Sequence, residues 1–191
     1  MTGYEETLFN GVIELSQSKH WEDAVNEWKI VSCVEDSVSK SVCICGREDI
    51  KYLYTLQNNL TGNTLYPVCS GCIYGFGRKD LIKEAEMKKS LFKLLHTLEE
   101  SSSLILNSDF FTVDVLQYLY EQGAFLPVKY NEYNGYNDYS FLLAMYKRIR
   151  KASTWVKPDI TKAQYRKMSA IIRNSVLPYL RGNLEVRKEI S

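Results

Sequence analysis

The side chains in this sequence best placed to do chemistry are four cysteines in two close pairs. Cys43 and Cys45 stand in a Cys-Ile-Cys-Gly run, and Cys69 and Cys72 in Cys-Ser-Gly-Cys. Thiolates bind zinc, which takes four ligands in a tetrahedron at about 2.3 Å and, in structural sites, leaves no position open. Two cysteines one or two residues apart reach one ion only where the backbone turns sharply. Gly46, directly after Cys45, supplies a residue able to take positive φ, so that amide N–H groups can face the sulfurs. The Cys69–Cys72 spacing puts two sulfurs on one side of a turn opening a helix, where free N–H groups and the helix dipole favour thiolate charge. The expectation is a structural Zn²⁺ site with Cys43, Cys45, Cys69 and Cys72 as ligands.

Competing chemistries fit less well. A catalytic zinc keeps an open position and usually includes histidine or carboxylate ligands. This chain has only two histidines, His20 and His96, both far from the cysteines in sequence. The opening Met-Thr-Gly-Tyr-Glu-Glu carries no basic, apolar or small-residue signal pattern, so a reducing cytosol is expected, where thiols bind metal rather than pair as disulfides. Cys33, the fifth cysteine, reads as a buried small hydrophobe on a strand. Its replacement of Cys69 or Cys43 as a ligand stays open at this point. No Gly-rich phosphate loop and no Ser or Cys nucleophile with a histidine base is present, so a non-enzymatic binding protein is expected.

The elements that must position the cysteines follow from hydrophobic pattern. An apolar, Tyr-rich run from Ile50 to Leu56, a turn over residues 58–63 and a second run from Thr64 to Val68 predict a β-hairpin whose loop exceeds two residues. Turn, hairpin and a helix carrying the second pair make a small treble-clef-like zinc module. Before it, helices are expected over residues 4–17 and 21–27, a strand over 29–34 and a polar turn over 35–40. After it, Leu81, Ile82, Ala85, Leu91, Leu94, Leu95 and Leu98 predict a long amphipathic helix over 79–99. Further helices are expected over 112–122, closed by Gly123, from Asp138 or Ser140 to Lys151, and from a Thr161-x-x-Gln164 capping box onward. Pro178 should bend or end the last helix and Gly182 finish it, leaving residues 183–191 to fray. The fold class is therefore α+β and mostly helical: N-terminal helices and strand over 1–36, zinc module over 37–78 and helical region over 79–191. No apolar run approaches 18 residues, so no membrane span is predicted. A monomer is expected.

Charge is uneven although the net is only +1. Residues 1–40 hold eight Asp/Glu against three Lys/Arg, and residues 138–191 hold twelve Lys/Arg against four Asp/Glu. One acidic and one basic surface, each able to steer a charged partner, should result. Glu5, Glu6, Glu14, Glu22, Asp23 and Glu27 would make the acidic one, suited to a basic protein. Arg148, Arg150, Lys151, Lys157, Lys162, Arg166, Lys167 and Arg173, with Trp155 and Tyr165, would make the basic one, where nucleic acid is the alternative partner. Tyrosines at 130, 133, 136 and 139 read as a surface loop, either a tolerated triplet duplication or a recognition surface.

The zinc stretch resembles a group of small proteins of low-GC Gram-positive bacteria and their phages. The shared features are the Cys-x-Cys-Gly turn at 43–46, an Asn-x-x-x-Gly-Asn hairpin turn at 58–63, a cysteine shortly before an aromatic (Cys72 and Phe76), and a Glu-Trp-x-Ile lead-in at 27–30. Cys69 is the less regular position in that group. The stretch from Phe141 to Leu180 resembles tails attached to this module in phage-encoded proteins. Taken over most of the chain, the likeness is to zinc-containing anti-CRISPR proteins of streptococcal prophages. It implies a non-enzymatic inhibitor that docks on a type II CRISPR effector nuclease and blocks target DNA loading, and it assigns no inhibitory residue.

Overall fold

The computed structural model of the protein describes residues 3–100, 111–125, 137–151 and 159–188. The fold is α+β, with a four-stranded sheet among helices. The chain divides into two compact units, one of residues 1–89 and 184–191, the other of residues 90–183. No helix of the described residues is long and apolar enough to cross a membrane.

The first unit begins with α1 (Gly3–Leu15), whose buried residues Leu8 and Val12 lie four apart and so share one helical face. A short α2 (Trp21–Ala24) and a 3₁₀ turn (Val25–Glu27) lead into β1 (Trp28–Asp36). β2 (Tyr52–Asn58) and β3 (Thr64–Val68) form the expected hairpin, and β1 lies antiparallel to β2. The sheet order is β3-β2-β1-β4. Its core includes Trp28, Leu53, Tyr54 and Leu56, all fully buried. Trp28 donates its indole N–H to Ser16 Oγ at 2.8 Å. The Tyr54 hydroxyl donates to the Ala85 carbonyl at 3.1 Å. Both polar ends therefore keep a partner inside the core.

Two expectations about this unit are corrected. Residues 35 and 36 are not a turn, because β1 runs through them. The Asp36 N–H donates to the Lys51 carbonyl at 2.7 Å, and the Lys51 ammonium meets the buried Glu35 carboxylate at 3.0 Å. Nor do residues 185–187 fray. They form β4 (Glu185–Arg187), which pairs parallel to β1 from Val34 to Asp36. The N–H and the hydroxyl of Ser37 both donate to the Arg187 carbonyl, at 3.1 and 2.7 Å.

The hairpin turn is organised by Asn58. Its Oδ1 accepts from the N–H groups of Leu60 and Thr61 at 2.8 and 2.9 Å, and Gly62 takes φ +75° to close the loop. The Thr61 hydroxyl and the Asn63 amide both donate to the Leu15 carbonyl, at 3.0 and 2.9 Å. The turn thus satisfies a carbonyl at the end of α1 that the helix itself leaves unpaired. After β3 come α3 (Ser70–Gly75) and α4 (Lys79–Glu100), and the unit boundary falls within α4 between Lys89 and Ser90.

The second unit contains the rest of α4, then α5 (Val113–Glu121), α6 (Asp138–Lys151), α7 (Lys162–Ile171), a π-helical turn (Ile172–Val176) and α8 (Leu177–Asn183). Phe92, Phe111, Leu116, Leu119, Leu142 and Leu180 are among its fully buried side chains. Thr112 caps α5 by accepting from Val115 N–H at 3.2 Å, and Gly123 takes φ +73° just beyond its end. Thr161 and Gln164 form the expected capping box at the start of α7. Asn137, rather than Asp138 or Ser140, caps α6, its side chain accepting from Ser140 N–H at 2.6 Å. Pro178 does not end its helix. The wide π turn contains Asn174, the residue whose carbonyl a proline four positions later would strike, and this widening lets the chain stay helical through Pro178.

Candidate metal centre

Residues 43–47 form a tight turn. Cys43 N–H donates to the Arg47 carbonyl and Gly46 N–H to the Cys43 carbonyl, both at 2.8 Å. Gly46 sits at φ +92°, left-handed backbone that favours glycine. Ile44 N–H donates to the Pro67 carbonyl at 2.9 Å, which ties the turn to β3. Cys69 is the N-cap of α3 and Cys72 lies in that helix, so the second pair opens a helix as its spacing predicts.

These elements bring Cys43, Cys45, Cys69 and Cys72 into one buried cluster, with all four Sγ atoms within 4.8 Å of one another. Cys43 Sγ lies 3.6 Å from Cys72 Sγ, and Cys69 Sγ lies 3.6 Å from Cys72 Sγ. An ion about 2.3 Å from each of four tetrahedral sulfurs would set them about 3.8 Å apart. Disulfide sulfurs sit near 2.05 Å, and all five cysteines are free thiols. The donor set therefore fits a metal ion, which these four residues could hold. Among the described residues no other group of three or more His, Cys, Asp or Glu side chains converges in this way.

The sulfurs divide their protons unequally. Cys69 is held down by its hydrogen bonds with Cys43 and then Cys72, as the thiolate its neighbours support. Cys43 is pushed up to about 12, first by its bond with Cys69, and Cys72 is pushed up by Cys43 and then Cys69. Cys69 N–H donates to Cys43 Sγ at 3.1 Å. Binding a cation must displace the protons that the cluster's thiols retain, so the site's affinity should rise with pH.

Cys33 stays outside the cluster, on β1 opposite Tyr54. Burial is the main cause that pushes its thiol up to about 12, as suits a small core side chain. Sequence reasoning missed Arg47, whose positive charge helps hold the Cys69 thiol down. Its guanidinium also lies over the Tyr4 ring, 5.9 Å from the centroid. A lone arginine after a metal-binding turn has no spacing signature that would single it out.

The acidic residues do not all fall where composition suggests. Glu5, Glu6, Glu14, Glu22 and Asp23 are exposed, whereas Glu27 is buried. The Glu27 carboxylate accepts from the N–H groups of Gln17 and Ser18 at 2.8 Å each. It is a structural hub, not part of a docking surface. Of the basic candidates, Arg148, Arg150, Lys151, Lys162, Arg166, Lys167 and Arg173 are exposed. Lys167 Nζ sits 4.6 Å from the Phe141 ring centroid. Trp155 and Lys157 lie outside the described residues, as do Tyr130, Tyr133 and Tyr136. Tyr139 stacks on Tyr120 at 4.5 Å between centroids and donates its hydroxyl to Gln117.

Comparison with protein-family models, with curated proteins and with solved structures finds no match.

Proposed function

We propose that the protein is a zinc-stabilised, non-enzymatic inhibitor whose acidic N-terminal surface docks on a type II CRISPR effector nuclease and blocks target DNA loading. The observation that carries the docking reading is the exposure of Glu5, Glu6, Glu14, Glu22 and Asp23 along α1 and α2. A nuclease that handles DNA presents basic channels, and acidic surface of this kind speeds encounter and fixes orientation there. The choice of effector rests on the resemblance of the zinc stretch to phage anti-CRISPR proteins. Zinc is the ion chosen because four buried cysteine sulfurs, once deprotonated, form a closed, borderline-soft donor set, the composition of structural zinc sites. The treble-clef reading rests on the order of turn, hairpin and helix around those thiols.

The test is gel filtration of the zinc-loaded chain with a type II effector nuclease, together with a DNA-loading assay. A 1:1 complex that excludes target DNA, weakened by Glu22→Lys with Asp23→Lys, is expected. Absence of both complex and inhibition overturns the proposal.

A second reading is favoured by the exposed face of α7 and the π turn. A groove of about 500 Å³ there is lined by Tyr165, Arg166, Ser169, Ala170, Arg173 and Asn174. Two guanidiniums beside an exposed tyrosine are suited to a phosphate backbone with a stacked base. Affinity for single-stranded DNA that falls steeply with salt would support this reading, and no binding at low salt would dismiss it.

A further inference from the structure

We propose that the trough between α1, α2 and α3 receives an arginine side chain from a segment of a partner protein. The proposal rests on the reading of the N-terminal surface as the contact face, and adds what that face grips.

The trough has a volume of about 420 Å³ and is lined by Glu5, Leu8, Phe9, Trp21, Glu22 and Gly75. Its walls are aromatic and aliphatic. Phe9 and Trp21 stack with centroids 5.2 Å apart and planes 25° apart, and Trp21 meets the buried Phe76 ring at 5.8 Å and 52°. Trp21 is therefore braced from two sides. At Gly75 an added Cβ would come within 3.3 Å of Leu8 Cδ2, so glycine lets α1 and α3 approach closely there.

Both charged side chains among the described lining residues are carboxylates, Glu5 on α1 and Glu22 on α2. That pairing selects the occupant. A wholly apolar segment would cover the aromatic walls but strip water from the exposed Glu22 carboxylate without replacing it, at a cost. An anionic segment would meet like charge. An arginine satisfies both features, since its stem packs on Leu8 and Phe9 while its planar guanidinium stacks on Trp21 and donates to carboxylate oxygens. A lysine brings the charge but not the planar fork. The third wall belongs to α3, which carries Cys72, so the trough's shape depends on the cysteine cluster.

The test measures fluorescence anisotropy of labelled hexa-arginine peptide titrated with the zinc-loaded full chain. Binding is expected to weaken about tenfold in Glu5→Gln with Glu22→Gln, and comparably in Trp21→Leu, since desolvated cation–π and charge-assisted contacts each contribute at that level. Hexa-lysine should bind more weakly, and an uncharged leucine-rich peptide should not compete. The matched variant Glu6→Gln with Glu14→Gln, which alters exposed carboxylates of α1 outside the trough, should change affinity by less than about twofold. Equal weakening by the two charge pairs would mean diffuse attraction and overturn the site, as would competition by the uncharged peptide. Should the peptide fail to bind while the effector complex still forms, the trough proposal falls and the docking reading stands. Peptide binding that depends on the trough, with no effector complex, upholds the trough and removes the effector as partner.

Discussion

The Asn58 side-chain amide donates to the Glu27 carboxylate at 2.7 Å, and both residues are buried. Asn58 in turn accepts from two N–H groups of its own hairpin turn, while Glu27 accepts from two N–H groups after α1. One buried side-chain contact thus joins the hairpin end to the first helix. Glu27→Gln keeps the shape but presents an NH₂ group where one of three donors now finds an oxygen. It should lower unfolding free energy by about 2–3 kcal/mol, the cost of leaving buried donors without an acceptor. Urea unfolding of wild type and variant checks this, and coincident midpoints would show that the contact is dispensable.

The same carboxylate sets a pH dependence. Burial is the largest influence on Glu27 and acts to raise it, but the hydrogen bonds from Asn58, Ser18 and Gln17 together outweigh it and hold the group below its ordinary value. Asp36 is likewise lowered, first by the Ser41 hydroxyl at 2.7 Å, against burial, with help from the N–H groups of Val38, Lys40 and Ser41. A carboxyl whose folded pKa is depressed binds its proton more readily in the unfolded chain. Its stabilising contribution is therefore complete above the unfolded value of about 4 and is lost as pH falls through the folded value. The stability gap between wild type and Glu27→Gln should stay constant from about pH 7 to 5 and narrow below about pH 4. A gap unchanged down to pH 3 would contradict the assignment.

Much of this was legible because it depends on local pattern. The cysteine spacings, the long turn at residues 58–63 and the Thr161-x-x-Gln164 capping box each act within a few residues, and each forms as read. What the pattern hid are long-range effects. β1 alternates poorly because its pairing with β2 shifts between Ile30 and Ser32, leaving Val31 exposed and changing the phase of burial. Glu35 and Asp36 look like turn residues until Lys51, the N–H groups after β1 and β4 are in place around them. Glu27 counts as surface charge in any composition tally, since nothing nearby in sequence announces that Asn58 will meet it. Pairing of β4 with β1 depends on contacts about 150 residues apart in the chain, as the Ser37–Arg187 bond shows.

Two glycines near the cysteines should respond differently to alanine. Gly46 has φ +92°, and a Cβ there would also approach Tyr4 Cε1 at 3.7 Å, an ordinary contact. The backbone conformation is thus the obstacle, with an expected cost of about 1–2 kcal/mol and weaker metal retention. At Gly71 the obstacle is steric, because a Cβ would fall 2.7 Å from Arg47 Nη1, the mobile end of a long side chain. Arg47 can swing aside, so Gly71→Ala should cost less than about 0.5 kcal/mol. Equal melting temperatures for the two variants would refute the distinction.

Metal removal and cysteine replacement should divide the five thiols four against one. Cys43, Cys45, Cys69 and Cys72 converge within 4.8 Å, whereas Cys33 sits apart on β1. Serine at any of the four should abolish stoichiometric zinc in elemental analysis and mimic chelation. Structural zinc contributes roughly 10–16 kcal/mol in finger peptides, so a loss of several kcal/mol is expected even with the sheet's own apolar core. The loss should appear first as fast amide exchange around residues 43–47 and 69–76, where backbone bonds such as Cys43 N–H to Arg47 carbonyl depend on the turn. Cys33→Ala should instead retain one zinc per chain and lose only about 1 kcal/mol, the cost of a small core truncation. Zinc retained at full stoichiometry in Cys72→Ser, or lost in Cys33→Ala, would show that the ligand set has been drawn wrongly. The second outcome is the more severe, because it would mean that β1 supplies a ligand and that the cluster rearranges when it binds its ion.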